Sequence, residues 1–333
     1  MCPGPPPFSC NGTRPMKSLL SALLGTLLSL GLAPAGLAAY PEKPIVFVVP
    51  YAPGGTNDNI ARLLAEHLAS ELGQSVVVEN KPGAGGTLGA AYVAHTKADG
   101  YTLLNASIGN LAIAPQLVEA QFDPFADLTP LANIGDSRSV IAINPKLPIQ
   151  TLAELIAYAK ANPGKLSYGS SGHGSPGNLS LEYLKLLAGI DIVHVPYKGS
   201  APALSDVIAG HVDLLSDPLA NGAVKSGHLR GLAYFGATEA PDLPGVPSLL
   251  ETYPQWNFSG AFLAAAPSGT PAGVLGRLRA AFDKVLATPE VIAKLQGMGI
   301  TPQRLSPEDT SALIRKTHDI SAQIIEKAQL KAQ

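Results

Sequence analysis

Val46-Phe47-Val48-Val49-Pro50-Tyr51-Ala52-Pro53-Gly54-Gly55-Thr56-Asn57-Asp58 carries a strand, a turn and the start of a helix in one short stretch. The β-branched run halts at Pro50, and the chain turns through Gly54 and Gly55. Apolar residues then recur at helical spacing in Ile60, Leu63, Leu64 and Leu68. Two glycines let the backbone approach a ligand closely, and a helix start presents unpaired N–H groups with a partial positive charge. Such a turn holds an anion without a lysine or arginine.

The same alternation continues outward, predicting α/β units with parallel strands. Strands are expected at Ile45 to Val49, Ser75 to Glu79 and Tyr101 to Asn105, with helices over Asp58 to Glu71 and through Ala94. A second block opens at Val140. Thr151 and Glu154 form a capping box for a helix ending before Pro163. Leu166 to Gly169 reads as a strand; Ser175 caps a helix with Pro176 at its first position and Gly189 at its end. Strands at Asp191 to Val195 and Val212 to Leu215 flank a helix over Pro202 to Ala209. Phe262 to Pro267 reads as a strand returning to the first block. Helices follow over Pro271 to Ala287, Pro289 to Met298 and Pro307 to Lys327, the last capped by Ser306 with Glu308 and Asp309 in its first turn.

Residues 1–39 stand apart. Met16 and Lys17 begin a short basic segment, Leu19 to Leu32 are apolar but short for a bilayer span, and small residues follow to Ala39. This is the pattern of a cleaved export signal, with an over-extended start before Met16. Cys2 and Cys10 both lie in that segment, so the mature chain has no disulfide framework. The expectation is a periplasmic protein of about 295 residues, large enough for two cores. Without Arg14 and Lys17 it carries 21 basic against 25 acidic residues. No basic run occurs, which disfavours nucleic acid.

Several chemistries are excluded by pattern. Gly83-Ala84-Gly85 begins like a dinucleotide turn but has Leu88 at the third glycine position, and no phosphate-binding G-x-x-x-x-G-K-[ST] loop occurs. The better reading of Gly83 to Gly86 is a tight turn packed on its sheet. Seven histidines are scattered without metal-ligand spacing, so no metal or other cofactor is expected. Gly169-Ser170-Ser171-Gly172-His173 invites a serine hydrolase using Ser171, but His173 stands where a nucleophile elbow needs glycine. A second anion cradle of Ser170, Ser171 and Gly172 is the better reading. Tyr197 offers a stacking face or hydroxyl, Lys198 a cation, and Asp217 a partner for water or a ligand amine.

The ordered series resembles the receptors of tripartite tricarboxylate transporters, the Bug-type periplasmic solute receptors. It runs through Val49-Pro50-Tyr51-Ala52-Pro53-Gly54-Gly55, Val78-Glu79-Asn80-Lys81-Pro82-Gly83, Asp99-Gly100-Tyr101 and Tyr168-Gly169-Ser170-Ser171-Gly172. His194-Val195-Pro196-Tyr197-Lys198-Gly199 and Ala266-Pro267-Ser268-Gly269 continue it. The resemblance covers residues 40 to about 328. It implies an α/β, type II periplasmic-binding-protein-like fold with two lobes and a ligand cleft between them: 40–139 with 262–333 as lobe 1, and 140–261 as lobe 2. It implies a non-enzymatic, monomeric receptor delivering a small organic acid (a di- or tricarboxylate, acidic amino acid or aromatic acid) to membrane transporter subunits. A ligand-binding sensor without a dedicated transporter is the alternative. Tyr51, Gly54, Gly55, Thr56, Asp58 and Ser107 would line the first lobe. Ser170, Ser171, Gly172, Ser175, Tyr197, Lys198, Gly199 and Asp217 would line the second. The chain departs from the family pattern at Asn178, often histidine, and at Ser216, often phenylalanine.

Overall fold

In the computed structural model, which describes residues 1–9, 40–236, 240 and 242–330, the opening stretch folds as read. Strand β1 is Ile45–Val49, and helix α1 is Thr56–Leu72. The export-signal reading falls on residues 10–39, outside the described part; residues 1–9 are exposed and carry no regular structure. The apolar stripe of α1 is buried, with Ile60 and Leu64 fully enclosed. Gly54 supplies the positive φ of 80° that the turn needs, and Gly73 ends α1 in the left-handed conformation.

The remaining strands are β2 (Val76–Asn80), β3 (Thr102–Ser107), β4 (Leu128–Ser137), β5 (Val140–Ile143), β6 (Ser167–Ser170) and β7 (Val193–Pro196). After them come β8 (Leu214–Asp217), β9 (Arg230–Tyr234), β10 (Gly260–Pro267) and β11 (Ile300–Pro302). The helices after α1 are α2 (Thr87–Ala94), α3 (Leu152–Ala161), α4 (Pro176–Ala188), α5 (Ser200–Ala209) and α6 (Ala220–Lys225). Then follow α7 (Ala272–Leu286), α8 (Pro289–Gly297) and α9 (Pro307–Lys327).

Two sheets organise these elements, one in each lobe. The first has the order β11-β4-β10-β3-β1-β2, the second β7-β6-β8-β5-β9. The expectation of parallel strands holds only in part. β2, β1 and β3 are parallel, as are β7, β6 and β8, whereas β4, β10 and β11, and likewise β5 and β9, join antiparallel. Connectivity accounts for the joins: the chain crosses from β4 to β5 and back from β9 to β10, and each strand that enters after a crossing, β5 and β10, runs against the parallel strand beside it, while β4 and β9 lie antiparallel on their outer sides. β10 is buried along its whole length, as a central strand covered on both faces must be.

Strand β4 is absent from the sequence reading because Pro130, Asn133, Gly135 and Asp136 break its apolar pattern. The register against β10 shifts twice, between Phe262 and Leu263 and between Ala264 and Ala265. Pro130 sits beside one of these irregularities, where a missing N–H is tolerated. The capping box at Thr151 is only half made. The Thr151 hydroxyl accepts from the Glu154 N–H at 3.2 Å, but the Glu154 carboxylate accepts from the N–H of Gln150 instead of Thr151.

The described residues from 43 to 330 form one compact unit with a shared apolar core. That core runs from Val48, Leu104 and Leu263 in the first lobe to Ile141, Tyr168 and Leu179 in the second, with Ile314 and Ile324 of α9 joining it.

Candidate functional site

The turn after β1 and the start of α5 face one another across the gap between the lobes. Gly55 is the N-cap of α1 and Gly199 the N-cap of α5, and neither helix has a side-chain cap. A Cβ on Gly55 would lie 3.4 Å from the Ser200 nitrogen, in van der Waals contact, which shows how closely the two backbones approach. The backbone closes the contact: the Ala52 N–H donates to the Lys198 carbonyl at 2.9 Å. Lys198 therefore serves through its carbonyl, while its side chain is exposed.

Beside this contact lies a narrow cavity of about 30 Å³. Tyr51, Gly55, Thr56, Asn57 and Ser107 line it from the first lobe. Ser171, Pro176, Gly177, Ser200, Ser216, Asp217 and Pro218 line it from the second, and Ser137, Ser139, Ala261 and Phe262 from the crossing segments. Of these residues only Asp217 carries a charged side chain.

The side-chain amides at the cavity have traceable orientations. Asn105 Nδ2 donates to the Asn57 carbonyl at 2.7 Å, which fixes the Asn105 amide and makes the neighbouring Asn57 atom at 2.9 Å its Oδ1. Asn57 Nδ2 is thereby left without a protein partner in a residue only 4% exposed. The buried Ser216 hydroxyl also lacks a partner. Tyr51 donates its proton to the Gly85 carbonyl at 3.1 Å and pairs with the Ser107 hydroxyl at 3.0 Å; burial pushes its pKa up to about 12, so it remains neutral.

Asp217 binds the two lobes together. It accepts from the Thr56 hydroxyl of lobe 1 at 2.8 Å, the Ser200 hydroxyl at 2.5 Å and the Leu219 N–H at 2.9 Å. Burial raises its pKa above the usual carboxylate range, against the opposing effect of those three donors.

The structure brings Tyr51, Gly55, Thr56, Ser107, Ser171 and Asp217 to the cavity. The other sequence-nominated residues lie elsewhere. Asp58 turns away to brace the loop, accepting from the Gly54 N–H, Arg62 and Asn80. Burial alone would raise its pKa, but those donors hold it below the usual range. Gly54 is exposed and supplies the turn. Ser175 is fully buried and caps α4 through the Asn178 N–H. Gly172, Tyr197 and Lys198 line a separate groove with Ala84, Gly85 and His173, where the Tyr197 hydroxyl donates to Asp206 at 2.6 Å. Gly199 supports the backbone contact with Ala52.

Ser170 faces a histidine, not the solute cavity. The Gly174 N–H donates to Asn178 Oδ1, so Asn178 Nδ2 must donate to the Tyr168 hydroxyl at 2.7 Å and to His194 Nδ1 at 3.4 Å. His194 then carries its proton on Nε2 and donates to Ser170 Oγ at 2.6 Å, and Ser170 donates to the Gly172 carbonyl. This imidazole cannot take a proton from Ser170. Among the described residues no hydrogen bond joins Ser171 to a histidine.

Asn57, Ser200 and Ser216 were missed by the sequence reading. A signal for the first two was present: each lies in the first turn of a helix opened by glycine, Gly55-Thr56-Asn57 and Gly199-Ser200. Ser216 carried no comparable mark.

Residues 60–330 match the family described as tripartite tricarboxylate transporter family receptor. Protein BugT of Bordetella pertussis is 36% identical over 299 residues, covering 86% of this chain and 92% of BugT. A solved structure of R. palustris Rpa4515 with adipate is 34% identical with a TM-score of 0.84, covering 88% of this chain and 100% of that one. MatC of Rhodopseudomonas palustris with bound malate is 29% identical with a TM-score of 0.82, covering 86% and 100%.

Proposed function

This chain belongs to the tripartite tricarboxylate transporter receptor family, and from that premise we propose that its cleft captures a small organic carboxylate for delivery to a membrane transporter. The observation that carries this reading is the unpaired amide of Asn57, a neutral donor in the first turn of an uncapped helix, facing a cavity lined by both lobes. Neutral N–H and O–H donors hold an anion when water is excluded and the donors are pre-oriented. The adipate and malate of the two related structures support a carboxylate as the solute class.

The protein acts in this reading as a periplasmic receptor and not as an enzyme. Two observations support a non-catalytic site: the Ser170–His194 pair has the wrong proton order for nucleophile activation, and among the described residues no histidine is hydrogen-bonded to Ser171. Capture proceeds by closure of the lobes, which removes water from the solute and brings Thr56 to Asp217 and Ala52 to Lys198.

Native mass spectrometry of the freshly purified protein, followed by a melting screen of carboxylates, tests the proposal. At a hundredfold excess over Kd a bound solute stabilises by about 2.7 kcal/mol, a rise of a few degrees. A screen in which no carboxylate-bearing solute raises the melting temperature, with no co-purifying acid, overturns the receptor reading.

A further inference from the structure

We infer that Asp217 makes this cleft selective for a solute that carries a protonated amine beside its carboxylate, such as an α-amino acid, over the same acid without the amine. The inference rests on the receptor reading above.

The cavity is lined by two chemically distinct open groups. On the lobe 1 side the free group is a donor, Asn57 Nδ2, whose oxygen is already committed to Asn105. A carboxylate satisfies it and an ammonium cannot. On the lobe 2 side stand Asp217 and its neighbour Ser216. Oδ1 of Asp217 receives Thr56 and Leu219, but Oδ2 receives only Ser200, so one lone pair of a charged oxygen remains open. The Ser216 hydroxyl, also unpaired and only 2% exposed, adds a second acceptor.

Charge balance points the same way. Among the described residues no lysine, arginine or histidine lines the cavity, so Asp217 has three neutral donors but no opposite charge beside it, and a cationic solute group would supply one. A solute with a second carboxylate beside Asp217 would set two like charges together away from water. At about 5 Å and an effective dielectric near 20 their repulsion alone is worth roughly a hundredfold in affinity. An ammonium there turns the same separation into attraction, while the carboxylate keeps its partner in Asn57.

The test is calorimetric titration of the purified protein at pH 7 with matched pairs: L-glutamate and glutarate, L-aspartate and succinate, L-leucine and 4-methylpentanoate. The expected result is at least tenfold tighter binding of the amino acid in one pair or more, with Asp217→Asn cancelling or reversing that ratio. A wild-type ratio below tenfold in every pair overturns the inference, and so does a preference that Asp217→Asn leaves intact. Should Asp217→Asn fail to fold, the wild-type ratio decides by itself. Tight binding of glutarate or succinate with no gain from the amine overturns only the assignment to Asp217 and leaves the receptor reading in force. Absence of binding by every member of every pair, with no carboxylate active in the melting screen, overturns both.

Discussion

Gly85 has a positive φ of 63° and packs against the second lobe, so a methyl group there would run into the His173 carbonyl oxygen. Gly73 shares nearly the same conformation, φ 70°, but has open space around its Cβ position. The pair separates backbone strain from lobe contact. Gly73→Ala is expected to lower stability by about 1 kcal/mol and leave solute affinity unchanged. Gly85→Ala carries the same strain and also obstructs the approach of the lobes, so affinity should fall at least tenfold. Titration calorimetry and a melting curve on both variants check this, and equal affinities would remove Gly85 from the closure contact. The residue was read from the sequence as a sheet-packing turn, because sequence spacing carries no information on which side of a turn another lobe arrives. Asn57 was hidden for a related reason. Its availability depends on Asn105, distant in sequence, occupying its oxygen. Thr56 and Tyr51 were legible because they belong to the strand-to-helix turn itself.

At the scale of elements, β6, β7 and α4 enclose a polar cluster in which His194 stacks on Tyr168, with ring centroids 4.7 Å apart. Burial, with smaller contributions from His173 and Lys185, lowers the His194 pKa to about 3. The folded state therefore keeps it neutral while the unfolded chain takes up a proton near pH 6.5. Stability from this group is complete above pH 6.5 and is lost as pH falls toward 3, by about 1.4 kcal/mol per pH unit between those limits. Between pH 7 and pH 5 the loss amounts to about 2 kcal/mol. His173, also shifted down by burial, adds to it in the same direction. Urea unfolding at the two pH values checks this, and His194→Gln should flatten the dependence; an unchanged slope would mean other groups govern it. Helices were the most legible elements, because Ser175, Ser306 and Gly189 mark their ends by local chemistry. Strand β4 was not, since its length is dictated by β10 beside it and its own polar residues resemble a loop.

Over the whole molecule the two-lobed α/β architecture was visible in the alternation of strands and helices and in the family resemblance. The antiparallel joins were not, because strand direction depends on where the chain crosses between sheets. The crossing strands have a further consequence through the core they share. Apolar side chains pack without interruption from Leu104 and Leu263 to Tyr168 and Leu179, and α9 contributes Ile314 and Ile324 to the same cluster. Neither lobe can lose its interior without exposing part of the other's. Heat denaturation should accordingly be one all-or-none event, with calorimetric and van't Hoff enthalpies equal; two resolved transitions would contradict it. The lobes are thus separate for the solute but inseparable in melting.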